Sequence, residues 1–268
     1  METTAVPEDA QRPTRPRRPR RFYPRWIPQV LVRPREAFRR IVGERRGVWQ
    51  AAILLLTVTA VLRVLATGYV QQQTPGMGET LPPDFEFWSP EQQQQFMQAS
   101  QLTGGPVFNY VLPALQAVGG VWFGWLVVGG VLHLLLTLLG GRTPTITTMN
   151  IVAWARLPFA VRDVVRTVAA LAGDPVTTTG LAGFAPPEAA GGALFLSLLL
   201  AFVDIYLIWQ IVLIVLGVRT ADSTLGAART WLFTTLGVVA LLLARVGISY
   251  GLAQLGGGGG GMIRPFFF

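Results

Sequence analysis

Residues 150–172 constrain this chain more than any other stretch, because they are as long as a membrane span and yet carry four charges within Arg156-Leu-Pro-Phe-Ala-Val-Arg162-Asp163-Val-Val-Arg166. At 100° per residue, Arg156, Phe159, Asp163, Arg166 and Ala170 share one side of a helix and Arg162 flanks them. Trp154, Leu157, Val161, Val164, Val165 and Val168 cover the other side. Such a helix either crosses a bilayer with its charges turned into a protein bundle or lies flat at the surface.

The rest of the chain frames that choice. Four apolar runs, about 48–70, 111–139, 193–216 and 230–255, are each long enough at about 1.5 Å per residue to cross a hydrocarbon core of about 30 Å. With 51% hydrophobic and only 13% charged residues in 268, the fold class is all-α, a polytopic membrane protein. An ionised side chain at a helix centre costs about 2.5–3.5 kcal/mol to insert, against a gain of about 0.3–0.6 for each Leu, Ile, Val or Phe. Residues 150–172 therefore do not insert alone. Loop charges favour making them the third of five spans: Arg142, Arg219 and Arg229 then join 13 amino-terminal arginines on one side, leaving Arg264 on the other. The same topology sends Trp49, Trp154, Trp209 and Trp231 towards the inner interface and Tyr69, Tyr110 and Tyr250 towards the outer. The expectation is five transmembrane helices, the amino terminus cytoplasmic and the carboxyl terminus outside, in a prokaryotic plasma membrane.

All 22 basic residues are arginine and the net charge is +8, concentrated at the amino terminus. Residues 1–33, rich in Arg and Pro, have little to bury and are expected to be a disordered cytoplasmic tail. Because the tail joins an apolar span with no aromatic-basic folded module, its charge is assigned to the membrane surface and nucleic acid is not an expected partner. Pro34 suits a first helical turn, and Ala37, Phe38, Ile41 and Val42 make an apolar stripe among arginines, so a short helix on the inner surface opens a membrane domain over 34–255. Ser89, Pro90 and Gln92 have capping-box spacing, which predicts a short helix to about Ser100 in the acidic loop 71–105. Residues 256–268 are a Gly-rich linker with an aromatic tail. No early apolar segment resembles a cleaved signal peptide, so the first span is expected to serve as the anchor. The chain has no cysteine, which removes disulfides, thiolate catalysis and thiolate metal sites.

The candidate site is an intramembrane charge network: Asp204 and Asp163 with Arg63, Arg162, Arg166 and Arg245. Asp204, at mid-span, requires a partner, a proton or a watery cavity, and depth nominates Arg162 or Arg245. The positive surplus predicts a cavity in the outer half for an anionic lipid head group or anionic solute. Gly247-Ile-Ser249-Tyr-Gly251 matches a nucleophile pattern and His133 is the only histidine, yet helix rise puts them about 20 Å apart or more along the normal, so no catalytic residue is assigned. Gly120-Val-Trp-Phe-Gly124 has small-xxx-small spacing for close helix approach. No metal or cofactor site is expected.

Pro34-Arg-Glu-Ala-Phe38, Arg156-Leu-Pro-Phe159, Asp204-Ile-Tyr-Leu-Ile-Trp209, Gly217 and the polar turn before Ala227-Ala228 resemble the Yip family of Ypt/Rab-interacting membrane proteins, particularly its bacterial branch. The resemblance implies five spans, a cytosolic amino terminus and no catalytic residue. The resemblance implies, for the eukaryotic branch, binding of prenylated small GTPases and a role in vesicle traffic; that branch's Asp-Leu-Tyr-Gly-Pro motif is absent here, so the trafficking role is not carried over. Bacterial relatives imply an accessory protein, some associated with ABC-type efflux systems. The expected function is a non-enzymatic scaffold or assembly factor partnered by the bilayer and other membrane proteins, the alternative being a small carrier or channel built on Asp204 and the membrane arginines.

Overall fold

The computed structural model describes residues 22–73, 85–103, 105–173, 180–185 and 191–255, all of them helix or connection. The tail over residues 1–21 and the aromatic carboxyl-terminal segment lie outside the described residues. Ten α-helices follow in order: α1 Trp26–Val32, α2 Pro34–Gly43, α3 Gln50–Gln73, α4 Pro90–Thr103, α5 Leu112–Leu138, α6 Thr145–Ala155, α7 Leu157–Leu171, α8 Gly192–Phe202, α9 Ile205–Ala221 and α10 Ala227–Leu255. A turn of π-helix, Val107–Val111, leads into α5.

Among the described residues, three helical segments are long and apolar enough to cross a membrane: Gln50–Val70, Val107–Leu138 and Ala227–Gly251. The pair α8 and α9, bent by 60°, makes up to four. Each presents unpartnered apolar stripes, such as Leu54, Val58, Leu62, Leu65 and Tyr69 on α3 or Leu232, Leu236, Val239 and Leu243 on α10. Hydrocarbon is the solvent that suits those faces. The hydroxyls of Thr57, Thr67, Thr137, Thr167 and Thr220 donate to the carbonyl four residues earlier, leaving no hydroxyl hydrogen for lipid to accommodate.

The two expected spans that carry an aspartate are both broken. Residues 150–172 divide into α6 and α7 at Arg156, because Pro158 has no N–H to give to the preceding turn. Residues 193–216 divide at Val203 and Asp204, and α9 runs on to Ala221.

The core gathers around α6, where Ile151, Val152, Ala153, Trp154 and Ala155 are fully buried. Two polar side chains one turn apart fasten α6 to the entry of α3. Asn150 Oδ1 accepts from the Val48 amide at 2.9 Å, and its Nδ2 donates to the Arg46 carbonyl at 2.8 Å. Trp154 Nε1 donates to the Val48 carbonyl at 3.0 Å. Trp154 is therefore a core residue and not part of an interfacial belt.

The amino-terminal helices close this core. Residues 26–32, expected to belong to a disordered tail, form α1: Trp26 stacks on Tyr23 at 4.2 Å and meets Trp154 at 5.7 Å, and Val30 is fully buried. Helix α2 is not merely laid on the membrane surface. Its stripe of Ala37, Phe38 and Ile41 is wholly buried against α9 and α6. Gly217 makes that docking feasible, since a Cβ there would lie 2.5 Å from Ile151 Cγ2 and 3.1 Å from the Phe38 ring.

Contacts between chain-distant residues sort the helix ends into two groups. The start of α3, the turn after α5, the start of α6 and the turn between α9 and α10 lie together, joined by Asn150 to Val48 and by the Arg142 amide to Asp222 Oδ2 at 3.1 Å. At the other end Gly68 of α3 meets Tyr110, and Phe195 of α8 meets Tyr250 of α10 at 5.9 Å. Between α3 and α5, Ser89 and Gln92 form the expected reciprocal cap, Gln92 N to Ser89 Oγ at 3.3 Å and Ser89 N to Gln92 Oε1 at 3.1 Å, and the helix begins at Pro90.

Two stability predictions follow from these polar ties. Asn150→Ala strands the buried Val48 N–H, which should cost roughly 1–3 kcal/mol, and removes the donor to the part-buried Arg46 C=O at a smaller cost, read as a lowered unfolding midpoint in detergent. Asp222 also accepts from Thr224, whose hydroxyl holds its carboxyl below the usual carboxylate range despite opposing desolvation, with the Arg142 and Thr224 amides adding to the effect. A depressed carboxyl contributes stability that is complete above its unfolded value, near pH 4, and lost as pH falls through the folded one. The deficit of Asp222→Ala, about 1 kcal/mol at neutral pH, should therefore shrink in acid when wild type and variant are melted side by side.

Candidate functional site

The two helix breaks set up the site. With its backbone extended (φ −136°, ψ 171°), Asp204 is the N-cap of α9, and its Oδ1 accepts from the Leu207 amide at 2.8 Å. Its other oxygen receives Arg162 Nη1 of α7 at 3.3 Å. One carboxylate thus ends a helix break and ties α9 to α7. Of the two arginines that depth nominates, Arg162 is the partner, while the Arg245 guanidinium lies over the Phe202 ring at 4.3 Å.

A second pair joins α3 to α7, with Arg63 Nε 3.2 Å from Asp163 Oδ1. Asp163 is buried, whereas Val164, Val165 and Val168 on the opposite side of α7 are exposed, so the helix divides charge from hydrocarbon much as its wheel requires. Trp154 and Leu157, which the wheel grouped with the valines, are instead buried in the core.

Arg156 occupies the other break. A Cβ on Gly124 of α5 would lie 2.8 Å from Arg156 Nη1, so the second glycine of Gly120-Val-Trp-Phe-Gly124 leaves room for a guanidinium. Arg156 Nη1 reaches the Val121 carbonyl at 3.5 Å, and Phe159 offers its ring to Arg162 at 4.5 Å and to Arg156 at 5.9 Å. Arg166 interacts electrostatically with Arg63, Arg162, Asp163 and Asp204, and Arg245 with Arg156 and Arg162. Of the six residues nominated from sequence, four meet in ion pairs, Arg63 with Asp163 and Arg162 with Asp204, and Arg166 and Arg245 join this charge cluster, with Arg156, through longer-range electrostatics.

The break at Asp204 is closed from outside the helices. Leu181 N donates to the Leu200 carbonyl at 2.9 Å, and Gly180, at φ +56°, sits within 2.8 Å of the Leu200, Ala201 and Val203 oxygens measured from where a Cβ would stand. Only glycine fits there on both counts, conformation and space. Part of the loop after α7 thus reaches the carbonyls that α8 leaves open, and its short polar sequence gave no sign of this.

Several expected features lie elsewhere. His133 Nε2 pairs with Thr145 Oγ1 at 2.9 Å across the turn between α5 and α6, and Ser249 is buried on α10. Among the described residues no group of three or more His, Cys, Asp or Glu is placed to hold a metal. An open cavity of about 540 Å³ lies between α2 and α9, lined by none of the cluster's arginines.

A family model for the Yip1 domain matches residues 29–248, which takes in everything from the end of α1 through most of α10. The chain belongs to the Yip1-domain family. No curated protein matches it. No solved structure matches it either. As a Yip1-domain chain with several long apolar helices, it is an integral membrane protein.

The Asp204 pair can be separated from the cap by substitution. Asp204→Asn keeps a capping oxygen and removes the ion pair, whereas Asp204→Ala removes both, so the alanine variant should be less stable by a further 0.5–2 kcal/mol or about that. Combining Asp204→Asn with Arg162→Gln should reveal a coupling of about 0.5–3 kcal/mol in a double-mutant cycle on unfolding midpoints, and a coupling near zero would dissolve the proposed tie between α7 and α9.

Proposed function

We propose that this Yip1-domain protein, of the bacterial branch, is a five-pass, non-enzymatic scaffold or assembly factor in a prokaryotic plasma membrane, its amino terminus cytoplasmic. The observation that carries the reading is the family match over a bundle whose two ion pairs join helix to helix, α3 to α7 and α7 to α9. The clustering of helix ends supports five passes, because the start of α3, the turn after α5, the start of α6 and the turn between α9 and α10 lie on one side, as strict alternation demands. The exposed apolar faces of α5 and α10 supply surface for another membrane protein as well as for lipid. An ABC-type efflux system is the partner class the family resemblance favours.

A second reading, a small carrier or channel, gains from one specific observation. Two discontinuous helices meet through Arg162 and Asp204, and broken helices facing each other at mid-membrane are a device of transporters.

Gentle solubilisation followed by quantitative identification of copurifying membrane proteins tests the proposal, with a transporter subunit in stoichiometric amount as the expected result. Purified protein that instead moves solute across reconstituted vesicles, and stops doing so as Asp204→Asn, would replace scaffolding by transport. Topology is open to a clean measurement because the chain contains no cysteine. Single cysteines introduced between residues 174 and 192 should label from outside the cell and those at Arg142 or Arg229 only after permeabilisation.

A further inference from the structure

The open cavity of about 540 Å³ lies where the start of α2 meets the last turns of α9 and the first of α10. Arg33, Arg35 and Arg219 line it, with Glu36 as the one acid. None of these three arginines takes part in an ion pair among the described residues, in contrast to Arg63 and Arg162 deeper in the bundle. Val212 and Leu216 continue the wall along α9, and Trp231 of α10 closes it. Val212, Leu216 and Arg219 fall on one face at spacings of four and three, so the wall passes from apolar to cationic over about 10 Å of helix rise. Val32, Trp231 and Leu232 are exposed apolar residues around the same place, which marks the rim as facing lipid rather than water.

We propose that this cavity binds an anionic glycerophospholipid, its phosphate held by Arg33, Arg35 and Arg219 and the upper part of an acyl chain lying on Val212, Leu216 and Trp231. A cationic mouth over an apolar wall at the end of a membrane helix matches a phospholipid in both charge and length. Guanidinium groups suit a phosphate through paired N–H donors, and the net excess of two positive charges at the mouth favours a lipid with a net negative head over a zwitterionic one. A free phosphate would use the arginines and leave the apolar wall bare. The site differs from the outer-half anion cavity expected from sequence, being built at the opposite end from residues that the charge network does not contain. It rests on the reading above that this end of the bundle meets the membrane surface.

The full-length protein, purified in mild detergent, is titrated with phosphatidylglycerol or phosphatidylcholine and the bound lipid counted by native mass spectrometry. Phosphatidylglycerol should be retained in preference to phosphatidylcholine, and Arg35→Gln with Arg219→Gln should weaken retention by about fivefold for each arginine neutralised. Arg39→Gln with Arg45→Gln removes the same charge from exposed positions outside the cavity and should leave retention unchanged. A phosphatidylglycerol brominated in its acyl chain should quench part of the tryptophan fluorescence, and Trp231→Phe should abolish that part. Equal losses in both arginine pairs, quenching that survives Trp231→Phe, or displacement of the lipid by millimolar inorganic phosphate would each overturn the site. Release of the protein from membranes by alkaline carbonate would strike the bilayer placement itself, an outcome separable from loss of lipid preference in a protein that stays embedded.

Discussion

The clamp that Asn150 and Trp154 place on residues 46–48 decides how the rest of the molecule is assembled. A buried backbone amide without a partner is expensive in any apolar interior, and the link between α2 and α3 would leave such groups bare as it turns into the bundle. Asn150 satisfies a donor and an acceptor of that link with one side chain, and Trp154 satisfies a second acceptor one turn later. Once α6 is fixed there, its remaining surface must be covered. Helices α1, α2, α5 and α9 cover it, with Trp125 Nε1 donating to the Met149 carbonyl at 2.9 Å on one flank and Phe38 closing over Gly217 on another. The amino-terminal helices belong to the core for this reason, although their surfaces carry so many arginines.

That packing also explains why the charged stretch could not be a plain span. Helix α6 contributes its whole circumference to the core, while α7, beyond Pro158, keeps one side for charge and the other for hydrocarbon. The two halves have different tasks, and they meet at the break at Arg156. Asp204 performs the corresponding service for α8 and α9 by capping one helix and pairing with the other half of the break system.

Much of this architecture could be read from local rules. The long helices α3, α5 and α10, the start of α2 at Pro34 and the cap at Ser89 follow from apolar run length, from the fixed φ of proline and from a reciprocal side-chain pattern. Each of those signals is contained in its own segment. The features that sequence reasoning missed need two segments at once. Asn150 is an ordinary helix residue until Val48 is beside it, and Gly124 is one glycine among many until Arg156 needs the space. Asp163 could be known to require a cation, but only the packing of α3 on α7 selects Arg63. The bend at Asp204 was hidden because no proline announces it; an aspartate inside an apolar run was read as a charge to be neutralised and not also as an N-cap.

Five arginines in the cluster face only two aspartates, and ion pairing alone cannot offset that surplus. At about 2.5–3.5 kcal/mol for each cation near a helix centre, the three extra guanidinium groups would be prohibitive in plain hydrocarbon. The breaks supply what the acids do not. A helix end carries roughly half a negative charge on its last carbonyls, and here α6 ends at Ala155 beside Arg156, while α8 ends at Phe202, whose ring lies under Arg245. Aromatic faces add to this, Phe159 under Arg162 and Phe202 under Arg245, each worth up to about 2 kcal/mol when water is excluded. Arg156 further draws on the Val121 carbonyl through the gap at Gly124. Interrupting two helices thus costs backbone hydrogen bonds but places partial negative charge where arginines are concentrated. A continuous helix at either place would withdraw that partial charge, so the breaks and the arginines depend on each other.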